Sequence, residues 1–181
     1  MPLFIDRLPL HCWTDQTQTP LSHWSVALPV LVTEAGLAAP PAGLPLQHWH
    51  LDTGHTGEAF AWRHHLQAAG LDPDQGHAPG AAALTSSLAG KLLVPVRQAD
   101  LWLVSNIPAL QGRPYPVRLE RGVPFRDLTA LPDPNLNRPL IGMRALRRAR
   151  LRVEVDFDAD VVSVHVLLQA VRLVLVQVCT H

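Results

Sequence analysis

The segment from Leu46 to Gly57 contains the residues best suited to chemistry. An apolar and aromatic run ends in Asp52, and Thr53 and Gly54 follow it directly. Glycine adopts backbone conformations closed to other residues, so a turn at Gly54 can bring peptide N–H groups close to the carboxylate of Asp52. Such donors would hold the carboxylate in place and favour its ionised form, and the hydroxyl of Thr53 can donate to the backbone and fix the turn. Asp-Thr-Gly is also ordinary turn chemistry, so these residues alone do not predict catalysis.

A second apolar run that ends in glycine lies far downstream. Leu140 and Ile141 precede Gly142 in the sequence. A segment rich in helix-forming Ala, Leu and Arg follows at Met143–Arg150. An alternating strand, predicted at Leu151–Phe157, closes the unit.

Together, the segments LDTGHTG and PLIGMRAL…LRVEVDF resemble the retropepsin-like (clan AA) aspartic proteases, particularly their single-domain bacterial members. Between them, TSSLAGKLLVPVRQADLWLV resembles the flap hairpin of that family and the strand after it. The resemblance covers residues 24–164. The chain departs from the family pattern at Arg144, where relatives often carry Asp or Asn, and in Pro-rich insertions at Asn106–Pro116 and Leu131–Pro139.

The resemblance implies a fold and a set of site residues. The fold is all-β: a retropepsin-like acid-protease barrel with one or two short helices, a flap hairpin and a terminal sheet that joins two subunits. Asp52 is the implied catalytic residue. The residues expected to support its loop are Thr53, Gly54, Leu140, Ile141 and Gly142. The residues expected in the flap, which would close over an extended peptide, are Thr85, Ser86, Ser87, Leu88, Ala89 and Gly90.

A single Asp-Thr-Gly requires two chains for this chemistry. Aspartic proteolysis uses two carboxylates about 3 Å apart that share one proton, one acting as general base on a water and the other protonating the scissile amide. The chain contains Asp-Thr-Gly once and Asp-Ser-Gly nowhere. Asp52 is therefore expected to meet Asp52 of a second copy across a two-fold interface. The predicted activity is an aspartic endopeptidase acting on peptide or protein substrates as a homodimer, with no cofactor or metal.

Two alternatives stay open. The chain could be a binding or assembly module that keeps the protease fold without cleaving. More distantly, His48, His50 and Asp52 share one face of a strand at spacing two, as in a metal-dependent hydrolase. The metallo-β-lactamase signature needs a histidine directly after the aspartate, where Thr53 stands.

Composition excludes some partners and compartments. Fifteen basic and fifteen acidic residues cancel, so bulk charge favours neither nucleic acid nor an anionic membrane surface. The local basic run at Arg144–Arg152 is interpreted as a solvated helix face, and His64 and His65 as solvated helix residues.

Two cysteines without metal-ligand spacing are typical of free thiols in a reducing cytoplasm. The apolar stretch Val161–Cys179 alternates as strands do and contains His165, Gln169, Arg172 and Gln177, so a cytoplasmic protein without a membrane partner is expected.

Seventeen prolines and eleven glycines divide the chain into short pieces, which favours strands over long helices. We expect one domain over residues 1–181, with a core at about 24–164 and extensions 1–23 and 165–181 at the dimer interface. The apolar tail 167–181 is expected to extend the sheet between subunits, so its removal should weaken the dimer. Helices are predicted at Trp62–Ala69 and Met143–Arg150. The predicted strands are Leu3–Leu8, Trp24–Thr33, Leu46–Asp52, Lys91–Val96, Leu101–Ser105, Tyr115–Glu120, Leu151–Phe157 and Val161–Leu167.

Overall fold

The computed structural model describes residues 3–9, 11–14, 20–87, 90–105, 113–127, 138–156, 158 and 161–167. These residues form fourteen strands and two short helices. In chain order the elements are β1 (Leu3–Pro9), β2 (His11–Thr14), β3 (Pro20–Ser25), β4 (Ala27–Glu34), β5 (Gln47–Asp52), β6 (Ala59–Trp62), α1 (Arg63–Ala68), β7 (His77–Ser87), β8 (Gly90–Arg97), β9 (Ala99–Leu103), β10 (Tyr115–Val117), β11 (Val123–Arg126), β12 (Leu140–Gly142), α2 (Met143–Arg148), β13 (Leu151–Asp156) and β14 (Val161–Val166). Because strands account for 47% of the residues and the helices are short, the predicted β-rich class is confirmed.

The strands form one large sheet and two small ones. The large sheet has nine strands in the order β10-β9-β4-β5-β12-β6-β11-β8-β7, and a three-stranded sheet has the order β1-β14-β13. Strands β2 and β3 pair with each other. The two end strands of the large sheet, β10 and β7, do not pair with each other within the described residues, so the sheet is open and the barrel implied by the resemblance is not confirmed.

One hydrophobic core joins the large sheet to the three-stranded sheet β1-β14-β13, called the terminal sheet below. The core cluster takes residues from the central strands, from both helices and from β14, where Val162, Val164 and Val166 alternate inward. The largest fully buried side chains are Trp49, Phe125, Leu28, Leu66, Leu101, Ile141, Leu146, Val30, Val32, Val117, Val123 and Val162. Burial stabilises each large aliphatic or aromatic side chain by about 1.5–3 kcal/mol. The terminal sheet is therefore part of the same core as β5 and β12.

Arg97, a buried charge at the end of β8, holds three loop segments together. Its guanidinium donates to the carbonyl oxygens of Asp72 at 3.0 Å and of Gly76 and Gln98 at 3.2 Å each, and it pairs with the carboxylate of Glu34. Gly76 has a φ of +64°, and a Cβ there would lie 1.7 Å from Nη1 of Arg97. The buried guanidinium is thus compensated by hydrogen bonds, and only glycine fits against it at this turn.

Asp100 plays the complementary role at the other end of the sheet. Its buried carboxylate accepts the N–H groups of Gly36 at 2.8 Å and Leu119 at 3.2 Å, and pairs with Arg118 at 2.6 Å. Because the N–H of Leu119 bonds to this carboxylate instead of a neighbouring strand, β10 ends at Val117. The strand predicted at Tyr115–Glu120 is therefore shorter than expected.

The other predicted elements agree with the structure to within a few residues. Both predicted helices are present, each two residues shorter than expected. The short strands β2, β6 and β11 were not predicted, because runs of four residues carry little periodicity, and neither were most of β3 and the first part of β7. The predicted tail beyond Leu167 lies outside the described residues. None of the described helices has the length and apolar character needed to cross a membrane.

His65, predicted to be solvated, is instead half-buried. Its Nδ1 accepts the N–H of Trp62 at 3.3 Å, and its carbonyl accepts the side-chain amide of Gln47 at 2.7 Å. Burial, with a smaller contribution from the charge of neighbouring His64, lowers the pKa of His65 from 6.5 to about 4. The folded chain thus favours the neutral imidazole, which keeps the Nδ1 acceptor available.

This pKa predicts a pH-dependent stability. As the pH falls from 6.5 to about 4, the unfolded chain binds a proton at His65 before the folded chain does, so the free energy of unfolding decreases through this window. His65→Gln should flatten the decrease, because glutamine at this position can still accept the Trp62 N–H but does not titrate. Urea unfolding at several pH values measures the slope. At pH 8 the two proteins should have similar stability, and an unchanged slope in the variant would contradict the prediction.

Candidate functional site

The Asp52 loop begins where β5 ends. Asp52 is half-buried, whereas Thr53 and Gly54 are exposed. The N–H of Gly54 donates to Oδ1 of Asp52 at 2.8 Å, and the N–H of His55 donates to the Asp52 carbonyl at 3.2 Å. The expected backbone donor is therefore present, and it holds one oxygen of the carboxylate in an Asx-type turn.

Two details of this turn differ from the sequence prediction. Gly54 does not have a positive φ; what it provides is space, since a Cβ there would lie 3.3 Å from Oδ1 of Asp52. The hydroxyl of Thr53 was expected to donate to the backbone, but it makes no hydrogen bond to another described residue. The Asp52 carboxylate thus fixes the turn, and Thr53 is exposed beside it.

Strand β12 brings the second glycine segment against this loop. It lies between β5 and β6, parallel to β5 and antiparallel to β6, and its register pairs Gly142 with Asp52. The N–H of His50 donates to the carbonyl of Pro139 at 2.9 Å, just before the strand. Since β5 and β6 follow one another in the chain, the connection between them must pass over the end of β12. The two segments singled out in the sequence are therefore neighbours in the sheet.

Gly142 has no room for a side chain. A Cβ at this position would lie 2.3 Å from the carbonyl oxygen of Gly57 and 2.9 Å from the carbonyl oxygen of His55. The Gly142 N–H donates to the carbonyl of Glu58 at 2.9 Å. The loop after Asp52 therefore packs directly on the backbone of β12 at Gly142.

His55 fills the space inside the same loop, a role that sequence reasoning did not find. Its Nε2 is 3.2 Å from the carbonyl oxygen of Ala59, and its ring meets Phe60 edge-on with centroids 6.5 Å apart. A Cβ at Gly57 would lie 2.7 Å from that Nε2. The imidazole of His55 thus occupies the space that a side chain at position 57 would need. In the sequence, His-Thr-Gly has the composition of an exposed turn, which hides this packing.

Glu58 is a buried carboxylate that links the loop to distant segments, and it too was missed. Its Oε2 accepts the N–H groups of Glu120 at 2.8 Å and Arg121 at 3.1 Å. Its Oε1 lies 3.3 Å from Nε of Arg148 on α2, an ion-pair distance without hydrogen-bond geometry. Arg148 also pairs with Glu120. Arg148 is exposed, as expected for a solvated helix face, and in addition it pairs with this buried carboxylate. In the sequence, a single acidic residue directly before the apolar run at 59–62 is the feature that could have indicated this role.

The expected flap lies in the β7–β8 hairpin. Its register pairs Thr85 with Leu92, Ser86 with Lys91 and Ser87 with Gly90. Leu88 and Ala89, which connect the strands, lie outside the described residues. The hairpin forms one edge of the large sheet, and β12, β6 and β11 lie between it and β5.

The histidine alternative gains no support from the geometry. His48 is exposed and His50 is buried. Among the described residues, no three or more His, Cys, Asp or Glu side chains are grouped as metal ligands would be. His48, His50 and Asp52 are therefore not brought together as the metal-dependent hydrolase would require.

The contacts of Gly142 predict a specific sensitivity. Gly142→Ala should lower the free energy of unfolding by about 1–3 kcal/mol, because backbone atoms of the Asp52 loop would have to move away. Gly54→Ala is the matched control. There the added methyl group meets one carboxylate oxygen at 3.3 Å, so the loss should be smaller, below about 1 kcal/mol. Urea unfolding followed by tryptophan fluorescence compares the two, and equal losses would contradict the packing described above.

Comparison with known proteins identifies no relative. No family model, no curated protein and no solved structure matches this chain. Its function has therefore to be inferred from the contacts of the Asp52 loop.

Proposed function

We propose that this protein is a retropepsin-like aspartic endopeptidase whose active site forms from two copies of the chain, each supplying Asp52. The observation that carries the proposal is the pairing of Gly142 with Asp52. It brings the two segments that resemble the family, far apart in the sequence, side by side in a β-rich fold. The Gly54 N–H bond to Asp52 is the kind of contact that orients a carboxylate for acid–base chemistry.

The reaction requires one protonated and one ionised carboxylate. Two carboxylates about 3 Å apart cannot both ionise, so they share a proton. The ionised one removes a proton from water, the water oxygen attacks the scissile carbonyl carbon, and the protonated one donates to the leaving amide nitrogen. Because Gly54 holds one oxygen of Asp52, the other is oriented for the partner carboxylate or the water. No metal or cofactor takes part.

The exposure of the loop is compatible with a partner. Thr53 and Gly54 are exposed and Asp52 is only half-buried, so a second copy can approach the carboxylate. In a two-fold dimer each loop would meet its own copy. The Thr53 hydroxyl, which bonds to no other described residue, is then available to bond across the axis. We assign the joining of the two subunits to the terminal sheet β1-β14-β13.

The hairpin supplies a surface for an extended substrate. Strand β7 is an edge strand within the described residues, and edge strands bind peptides by backbone hydrogen bonds, with alternate side chains in pockets. The substrate class is accordingly an extended peptide or an unfolded protein segment, covered by the β7–β8 hairpin as a flap.

Asp52→Asn should abolish cleavage while the fold is retained. The amide is nearly isosteric but cannot share or transfer the proton, so hydrolysis of a fluorogenic peptide library should fall by about 10²–10⁴-fold. Asp158→Asn, at an exposed position of the β13–β14 turn, is the matched control and should keep wild-type activity. Circular dichroism and sedimentation check that both variants fold alike. Activity within tenfold of wild type in Asp52→Asn would show that another residue carries the reaction.

Mixing experiments test the requirement for two copies. If both carboxylates are needed, only dimers of two wild-type subunits are active. An equal mixture of wild type and Asp52→Asn, allowed to exchange subunits, should then have about one quarter of the activity of wild type at the same total protein concentration. Independent subunits would retain about one half. Sedimentation of wild type should show a dimer at micromolar concentration, and a monomer that cleaves peptides would contradict the two-chain site.

A further inference from the structure

An apolar groove lies between α2 and β13. Its floor is formed by the buried side chains of Leu146 and Leu151 together with half-buried Val153, and its volume is about 420 Å³. Met143 and Leu167 border it and are 47% and 44% exposed. Apolar grooves of this size on a protein surface usually receive an apolar group.

The last described residue of the chain lies at this groove. Strand β14 runs antiparallel to β13, so Val166 is opposite Leu151. The next N–H, that of Leu167, continues this pairing and donates to the carbonyl of Arg150 at 2.8 Å. The chain therefore leaves the sheet at the C-terminal end of α2, with the Leu167 side chain in the groove wall.

Arg150, which lines the groove, has a backbone conformation that is unfavourable for a residue with a side chain. It is the described residue other than glycine with a positive φ, at 55°. This position after a helix is usually glycine, which has no Cβ penalty there. Arg150 lines the groove, and the aliphatic part of an arginine side chain can cover apolar surface while its charged end stays in water. Arg147, three residues earlier on α2, also lines the groove.

The segment that follows Leu167 has the composition to fill the groove. Residues 168–181 include seven Leu or Val residues, and Arg172 is the one charged residue among them apart from His181. So apolar a segment needs cover. Starting at the groove itself, fourteen residues are more than long enough to lie along a helix of six residues.

We propose that residues 168–181 fold back onto their own chain and occupy the groove between α2 and β13. The segment starts at the groove wall, so its effective concentration there is at least millimolar, and it outcompetes a second copy at ordinary protein concentrations. The inference does not depend on the proposed proteolysis, because it rests on the groove, the Leu167 hydrogen bond and the tail composition.

Thiol reactivity in the full-length chain tests the proposal. In a background with Cys12→Ser and Cys179→Ser, Met143→Cys places a thiol at the groove border. Leu46→Cys is the matched control, since Leu46 is 50% exposed, close to the 47% of Met143, and does not line the groove. The probe is neutral iodoacetamide. Nearby arginines favour the reactive thiolate, so they would speed the reaction at 143 and work against the expected result.

A covered groove should make the thiol at 143 react about tenfold or more slowly than the thiol at 46, because it is exposed only when the segment opens. Equal rates would show an open groove and overturn the proposal. Adding Leu173→Asp and Leu175→Asp, which make the tail too polar for an apolar site, should abolish the protection. Protection that survives these changes would mean that another molecule fills the groove. Protection that disappears on about a hundredfold dilution would mean that a second copy fills it. Either result would overturn the proposal.

Discussion

The close backbone approach of β12 to the Asp52 loop is the constraint on which the rest of the structure depends. Gly142 pairs with Asp52 in the sheet, and its missing side chain leaves room for the carbonyl oxygens of His55 and Gly57. A methyl group would separate the loop from the strand. The Gly142 N–H bond to the Glu58 carbonyl depends on that approach, and the same backbone position of Gly142 lies 2.9 Å, measured from an added Cβ, from the His55 ring. Packing is dense in protein interiors, so the side of the loop that faces buried Gly142 has little freedom to adjust.

Buried charge extends this constraint outward from the loop. Glu58 binds the 120–121 backbone and Arg148 of α2, while Arg97 and Asp100 each gather loop segments at the ends of strands. Each of these groups is costly to bury and strongly unfavourable if it loses its partners. Such groups therefore penalise alternative arrangements of the loops more than they stabilise the native one.

The sequence predicted the parts of the fold that have a local cause. Proline and glycine spacing predicted the strand-rich class, and composition placed both helices close to their observed bounds. The adjacency of Asp52 and Gly142 came from resemblance, because strand pairing over such a distance has no local signature. His55, Glu58 and His65 were misjudged or missed because their character depends on what surrounds them. A histidine or glutamate in a polar segment has the same sequence pattern whether it is solvated or buried. The open sheet could not be foreseen either, since closure depends on how edge strands meet.

The pairing of β1 with β14 has a consequence for the order in which the chain can fold. Leu3 lies opposite Val166, so the first described strand completes its ladder only with one of the last. Contacts this distant in sequence close large loops and slow folding. During synthesis β1 emerges long before its partner exists, and chains fold from the N-terminus as they are made. The three-stranded sheet, and with it the part of the core supplied by β14, can therefore form only after the ribosome has made residues 161–166. Until then β1 is an unpaired strand edge, which is where a newly made chain is most exposed to association with its neighbours.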